Sequence, residues 1–432
     1  MLAGFLAAVL VLGTGAGEPP PGHGAERALA ELGQATRLGS GVTHRPLRTT
    51  AAAGQVLGDV IEVDLADPAV SAGLLLPRAI AARSTVAEMA DGSGATAAIN
   101  GDFFDIDHTG APVGPAVADG RPLKAAVRPG RRMGPAVPGA ETDHVFTVGT
   151  DRVARIDRLR LEARATGPSG TLEIDALNQY AVPVDAIGIF TPEWGDVDRS
   201  RTLCGTDVDR TAPCAADQAE ALVRDGTVVE EGKPRGGRLP AGVLALTGRE
   251  KGAVAVRELD VGDEVDVDYA LVPRSGHAPE IAVGGSPIMF DATPVAGLDD
   301  RERAPRSAVG NSADGRRLWL LTLDGRQSDS VGATLSELAQ LLREMGVDDA
   351  VNLDGGGSST LAFRDPGATA VSVVNDPSGP SARLVPNGIG IYTGSSDLAS
   401  SPAGYVTLTR VGGEPGCPWK CRGASESAGP WG

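Results

Sequence analysis

Residues 350–363, "AVNLDGGGSSTLAF", decide how the chain is read. An apolar run enters, Asp354 follows it, and three glycines lead into Ser358, Ser359 and Thr360 before a second apolar run. Two short apolar runs around a glycine turn spell strand, loop, strand. Each glycine gives up more backbone freedom on folding than any other residue, so three in a row are costly. Upstream, "TLSELAQLLREMG" reads as a helix. Thr334 as N-cap and Glu337 three residues on make a capping box, and Leu335, Leu338, Leu342 and Met345 fall on one apolar stripe. Gly346 supplies the stop. A helix therefore feeds a strand, and Asp354 stands where that strand ends.

Familiar glycine loops do not fit. A phosphate-binding P-loop needs a Lys after the glycines and then a helix, but three hydroxyl residues follow here. A dinucleotide fingerprint opens a helix, and none is signalled. A nucleophile elbow needs Gly at the position Thr360 holds, counted from Gly356. Consecutive N–H groups without side chains can instead form an anion-binding concavity, and Ser and Thr hydroxyls add neutral donors for phosphate or sugar oxygens. A tight turn with solvated hydroxyls is the plain alternative for such a run alone.

Two further segments repeat the grammar. In "AINGDFFDIDHTG" a strand ends in Asn100-Gly101-Asp102, and in "RSAVGNSADGRRLWLLTLDGRQ" Arg306 precedes one strand while Asp324-Gly325-Arg326 follows the next. One such end is usually a turn; three suggest a site built from loops on a rigid sheet. Asp105 to Gly110 has the opening spacing of a calcium loop, but Ala116 stands at the twelfth position where Glu belongs, so it reads as a polar loop. The histidines form no pair at helical spacing, which argues against catalytic zinc. No metal and no cofactor is expected.

The chain has 432 residues, with 39 Lys and Arg against 56 Asp and Glu, a formal charge of −17. That field repels nucleic acid and anionic membranes. The apolar run Leu2–Leu12, followed by small residues and prolines, fits the core of a signal peptide over 1–17, though no positive residue precedes it. Cys204 with Cys214 and Cys417 with Cys421 read as two local disulfides of an oxidising compartment. Residues 18–50 read as a flexible leader, 51–395 as one domain, and 396–432 as a Ser/Gly/Pro-rich tail or linker. Elsewhere no stretch reaches membrane-spanning length. Short β-branched runs alternate with turn residues, 59 glycines and 31 prolines, and only "STVAEMADG" and the helix above look strongly helical. The expected class is α+β: a single domain dominated by a mixed sheet, with few helices.

"INGDFFD", "AVGGSPIM", "RSAVGNSADGRRLWLLTLDGRQ", "GATLSELAQLLREMG", "AVNLDGGGSSTL" and "RLVPNGIGIY" together resemble the phosphodiester glycosidase family, in order, over most of residues 97–393. "GIFTPEWG" and "RELDVGDEVDVDYAL" resemble its bacterial members. The chain departs from the pattern at Asp102, where many relatives have Gly, and at Leu361, where Met is common. The resemblance implies a secreted hydrolase that cuts the C1–O bond of a sugar-1-phosphodiester, of the N-acetylglucosamine-1-phosphodiester kind, and frees a sugar and a phosphomonoester. Glycoside cleavage generally uses two carboxylates, and Asp354, Asp324 and Asp102 are the candidates. Asp354 is expected as nucleophile or base, with Asp324 as its partner. Arg306, Arg326, Arg383 and the Gly355, Gly356 and Gly357 backbone are expected to hold phosphate. Asn100, Ser358, Ser359 and Asn387 are expected to hold sugar hydroxyls or phosphate. The expected partner is a sugar phosphodiester or cell-envelope glycan, with no nucleic acid and no integral membrane segment. The competing reading is a non-catalytic envelope module that binds polysaccharide.

Overall fold

The structure is a computed structural model that describes residues 30–394. Strand accounts for 42% of it and helix for 10%, in three helices, so the sheet-dominated expectation holds and helix is too scarce to form a layer of its own. The single mixed sheet is corrected. The strands divide into four sheets of nine, seven, five and five, and among the described residues the parallel pairing is that of Ala176–Leu177 with Ile187–Phe190. Short connections such as that from Val42–Ala51 to Gly54–Asp64 favour antiparallel neighbours, whereas parallel ones need long crossovers.

Two sheets matter for the site. The largest runs Val42–Ala51, Gly54–Asp64, Arg317–Leu323, Arg306–Asn311, Asp349–Asn352 and Ser286–Phe290 through its middle. One five-stranded sheet runs Leu361–Phe363, Ala97–Asn100, Gly388–Thr393 and Val70–Leu75. Ile61, Val63, Leu320 and Val351 of the first meet Ile99, Leu361, Ile389 and Ile391 of the second in one buried cluster. Each such side chain contributes roughly 1.5–3 kcal/mol of burial.

Helix α1 (Val86–Ser93) is capped by Thr85, whose hydroxyl accepts from Glu88 while Glu88 reaches back. Helix α2 (Lys251–Val256) has no side-chain cap; with Gly252 and two valines its local propensity is poor, which is why the sequence did not announce it. Helix α3 (Leu335–Glu344) has the Thr334–Glu337 capping box read from the sequence, and Gly346 takes a φ of 85° just past its end.

The leader expected over 18–50 needs correction where it is described. Glu31–Leu32, Thr36–Gly39 and Val42–Ala51 are strands, the last paired along its length with Gly54–Asp64. Leu38, Val42 and Leu47 are buried, so this segment belongs to the sheet. The signal peptide, the Cys417–Cys421 pair and the tail lie outside the described residues. Cys204 and Cys214 form the expected disulfide. No helix among the described residues is long and apolar enough to cross a membrane.

Candidate functional site

Register brings the strand ends together. Strand Arg306–Asn311 lies antiparallel between Arg317–Leu323 and Asp349–Asn352, pairing Arg306 with Leu323 and Ala308 with Asn352. Arg306, Asp324 and Asp354 therefore leave the large sheet at one rim. In the smaller sheet Asn100 pairs with Gly388, and Ile99 with Leu361, which sets Asn387 and Thr360 beside Asn100.

Asn100 joins the two rims. Its Nδ2 donates to the Asp354 carbonyl (2.7 Å), and its Oδ1 accepts from Ser307 Oγ (2.7 Å) and the Thr360 N–H (3.0 Å). The chain beside it is clamped too: the Asp354 N–H donates to Gly101 O (2.9 Å) and the Gly101 N–H to Asn387 O (3.0 Å). Asn387 Oδ1 accepts from the Asp102 N–H (2.9 Å). A Cβ on Gly101 would fall 2.3 Å from that oxygen, so the strand end tolerates no side chain there.

The glycine loop is a short 3₁₀ turn, Gly356–Ser358. Gly356 takes a φ of 60° with the Arg326 guanidinium 3.3 Å from where its Cβ would be. This answers why glycine is present: left-handed backbone and a close guanidinium share one spot. The expected cradle of backbone donors is narrower than read. The Gly356 N–H donates to Pro305 O (2.9 Å), Ser358 to Gly355 O and Ser359 to Gly356 O (both 3.2 Å).

Asp354 hydrogen-bonds the Ser358 hydroxyl and the Gly355 N–H, with Arg383 and Asp102 close enough to act on its charge. Burial dominates and pushes its carboxyl up to about 6, and Asp102 pushes the same way, against Ser358 and Arg383. Asp102 is buried, and its Oδ2 accepts from the Gly114 N–H (2.5 Å). Burial raises its carboxyl, while Lys124 and Arg132 oppose the rise. Lys124, fully buried, donates to the carbonyls of Val113 (3.0 Å), Gly114 (3.0 Å) and Ala125 (2.6 Å), and burial lowers its ammonium.

Asp324 sits in a second carboxylate group. Asn375 links it to the loop, its Nδ2 lying 3.5 Å from Asp324 Oδ1 and 3.1 Å from Ser359 O. The Asp376 N–H donates to the same Oδ1 (3.1 Å). Burial raises Asp324 to about 7, aided by Asp59 and Asp376. In the folded state this group keeps a proton that the unfolded chain releases near 3.8. Stability therefore falls as pH rises from about 4 to about 7 and stays at the lower level above that. Asp324→Asn should gain on the order of 2 kcal/mol at about pH 8 and nothing at about pH 4; urea denaturation at the two pH values measures it, and an equal effect at both would refute it.

The three arginines part company. Arg306 is buried, with Nε donating to Ala333 O (2.9 Å) and Nη2 to Glu302 O (2.7 Å), so it braces the rim instead of reaching outward. Arg326 is exposed beside Gly356, with Nη2 3.7 Å from Glu302 Oε1. Arg383 is exposed beside Gly357, and its Nη1 donates to Ser358 Oγ (3.4 Å). Two buried atoms here, Asn387 Nδ2 and Ser359 Oγ, have no partner in the protein. Asp105 Oδ2 is taken by the Thr109 N–H (3.0 Å) and hydroxyl (2.9 Å), a plain polar turn.

Sequence reasoning missed Lys124, Arg132, Ser307 and Asn375. The first two sit in a stretch without motif, and Ser307 and Asn375 gain their roles through contacts 207 and 51 residues away in sequence.

Comparison with known proteins finds likeness in a short stretch of sequence and in the fold. A 58-residue stretch, 13% of this chain, is 47% identical to mouse N-acetylglucosamine-1-phosphodiester alpha-N-acetylglucosaminidase, and it spans 11% of that protein. The structure of a hypothetical protein from Synechocystis aligns with 82% of this chain at a TM-score of 0.65 and 21% identity; the alignment spans 62% of that chain. A presumed exported protein from Burkholderia pseudomallei K96243 aligns with 85% of this chain and 97% of its own, at a TM-score of 0.64 and 18% identity. At these identities the two structures establish the fold. Over residues 217–392 the chain matches the phosphodiester glycosidase family, the one its strand-end motifs resemble.

Proposed function

We propose that the protein hydrolyses the C1–O bond of a sugar-1-phosphodiester, with Asp354 as the nucleophile or the base that activates water. The observation that carries this reading is the setting of Asp354: a rim carboxyl between the Ser358 hydroxyl, the Arg383 guanidinium and Asp102. A phosphate ester leaves far more readily than a sugar alkoxide, so holding the departing charge matters more than protonating it. Arg383 and Arg326, flanking the glycine turn, are the exposed cations suited to that clamp. Asn387 and Ser359, with unpartnered buried atoms, suit sugar hydroxyls. Arg306 positions the rim, Asn100 positions Asp354, and Asp102 with Lys124 sets the charge behind it. Asp324 acts from its own group through Asn375.

Export is part of the proposal. The Cys204–Cys214 disulfide suits an oxidising compartment, and the fold-level neighbour from Burkholderia is presumed exported. The catalytic domain would run from the first strand at Glu31 to Thr393.

The test is incubation of the protein with an α-N-acetylglucosamine-1-phosphate methyl ester in water enriched in heavy oxygen. Free sugar carrying the label at C1 is expected. Label in the phosphate would instead mean P–O cleavage. Glycan binding without turnover on a panel of sugar-1-phosphodiesters would favour the polysaccharide-binding reading.

A further inference from the structure

The two guanidinium groups that flank the glycine turn are not equivalent. Arg383 lies along Gly357, where an added Cβ would fall 2.6 Å from its Nη2, and among the described residues it makes no ion pair. Arg326 takes a φ of 61°, left-handed backbone that side-chain-bearing residues rarely adopt. Its Nη1 is 3.3 Å from where a Cβ on Gly356 would be, and its Nη2 faces Glu302 Oε1 at 3.7 Å.

Glu302 is held from behind. Its carbonyl accepts from the buried Arg306 Nη2 (2.7 Å), and its N–H donates to Asp299 Oδ2 (3.2 Å). Three residues on, the Pro305 carbonyl accepts the Gly356 N–H (2.9 Å), so the wall that carries Glu302 is bonded to the turn that Arg326 flanks. The other cations of that wall are engaged. Arg303 gives both Nη1 and Nη2 to the Glu337 carboxylate (2.6 Å each), Arg306 is taken by carbonyls, and Arg301 stands by Asp300 (3.8 Å).

Charge decides what such a clamp admits. Arg383 and Arg326 bring two positive charges and Glu302 takes one back, while Asp102 and Lys124 oppose each other behind Asp354. A phosphodiester has no second proton to lose and carries one negative charge. A phosphomonoester carries about 1.5–2 near pH 7, since its second proton leaves near pH 6. That extra charge meets Glu302, and Asp354 once ionised, with no free cation of the clamp left to balance it.

We propose that Glu302 is a specificity-determining residue that admits the singly charged phosphodiester and repels the doubly charged phosphomonoester. The role rests on the activity proposed above. Cutting C1–O leaves the phosphate with a new ionisable oxygen, so the product gains the charge that Glu302 opposes and departs.

Glu302→Gln keeps the size of this exposed side chain and removes its charge. Methyl phosphate, a monoester with no sugar bond to cut, is titrated into wild type and variant, with binding read by ligand NMR at constant ionic strength because exposed charges are screened. At this exposure each ligand charge should count for about threefold in affinity. The variant should therefore bind about tenfold tighter than wild type at about pH 8, where the probe has two charges, and about threefold tighter at about pH 5, where it has one. The kcat on the phosphodiester should stay unchanged. An equal gain at both pH values, no gain at the higher one, or a lowered kcat overturns the role of Glu302. Failure of wild type to release sugar would remove the proposed activity alone, because the titration reads the charge preference without turnover.

Discussion

Asp354→Asn lowers sugar release by at least about a thousandfold while leaving the fold intact. Removing a group that forms or cleaves the reacting bond costs at least this much in enzymes of comparable design. The amide keeps the shape and can still hydrogen-bond Ser358, so loss of activity without loss of stability separates chemistry from scaffolding. If Asp354 acts as proposed, wild-type activity should show an acid limb set by the same group. Burial places the Asp354 carboxyl at about 6, so the rate rises through that pH as the carboxylate forms. A rate profile flat from about pH 4 to pH 8, or an Asn variant within tenfold of wild type, would remove Asp354 from the reaction.

Asn100→Ala carries the second large effect, this time on stability. The side chain satisfies Ser307 Oγ, the Thr360 N–H and the Asp354 carbonyl at once, from a fully buried position. Its loss leaves three groups without partners, each costing about 1–3 kcal/mol when no water reaches it. A total of about 4 kcal/mol is expected, large for a single substitution, and urea denaturation reads it directly. Activity should fall with it, because the Asp354 main chain loses its anchor to the neighbouring sheet. A loss under about 1 kcal/mol would mean that the two rims do not depend on Asn100.

Much of this site was legible along the chain, and the reasons can be given residue by residue. Asp354, Asp102 and Asn100 were visible because each ends a strand next to glycine, a pattern written in consecutive letters. The α3 cap was visible for the same reason, since Thr334 and Glu337 are three apart. Arg306 shows where such reading stops. Its position at a strand start was right, but whether its guanidinium faces a ligand or the carbonyls of Glu302 and Ala333 depends on how a separate loop folds over it. Lys124 was invisible because "RPLKAAV" has no motif, and its importance comes from the carbonyls of another segment. The strands between residues 36 and 51 were hidden by glycines and prolines nearby, although Leu38, Val42 and Leu47 point inward. Asp324 was found, but its separation into a group with Asp59 and Asp376 required knowing which strands are neighbours.

Interleaving has an implication for anyone trimming this protein. Strand Arg317–Leu323 is flanked by Gly54–Asp64, and strand Ala97–Asn100 is wedged between Leu361–Phe363 and Gly388–Thr393. A piece cut at residue 217, where the family match begins, would lose an inner plank from each sheet and bare two rows of backbone donors and acceptors. Such a fragment would seek foreign strands and clump, so the matched half cannot stand as a folded unit without the unmatched first half.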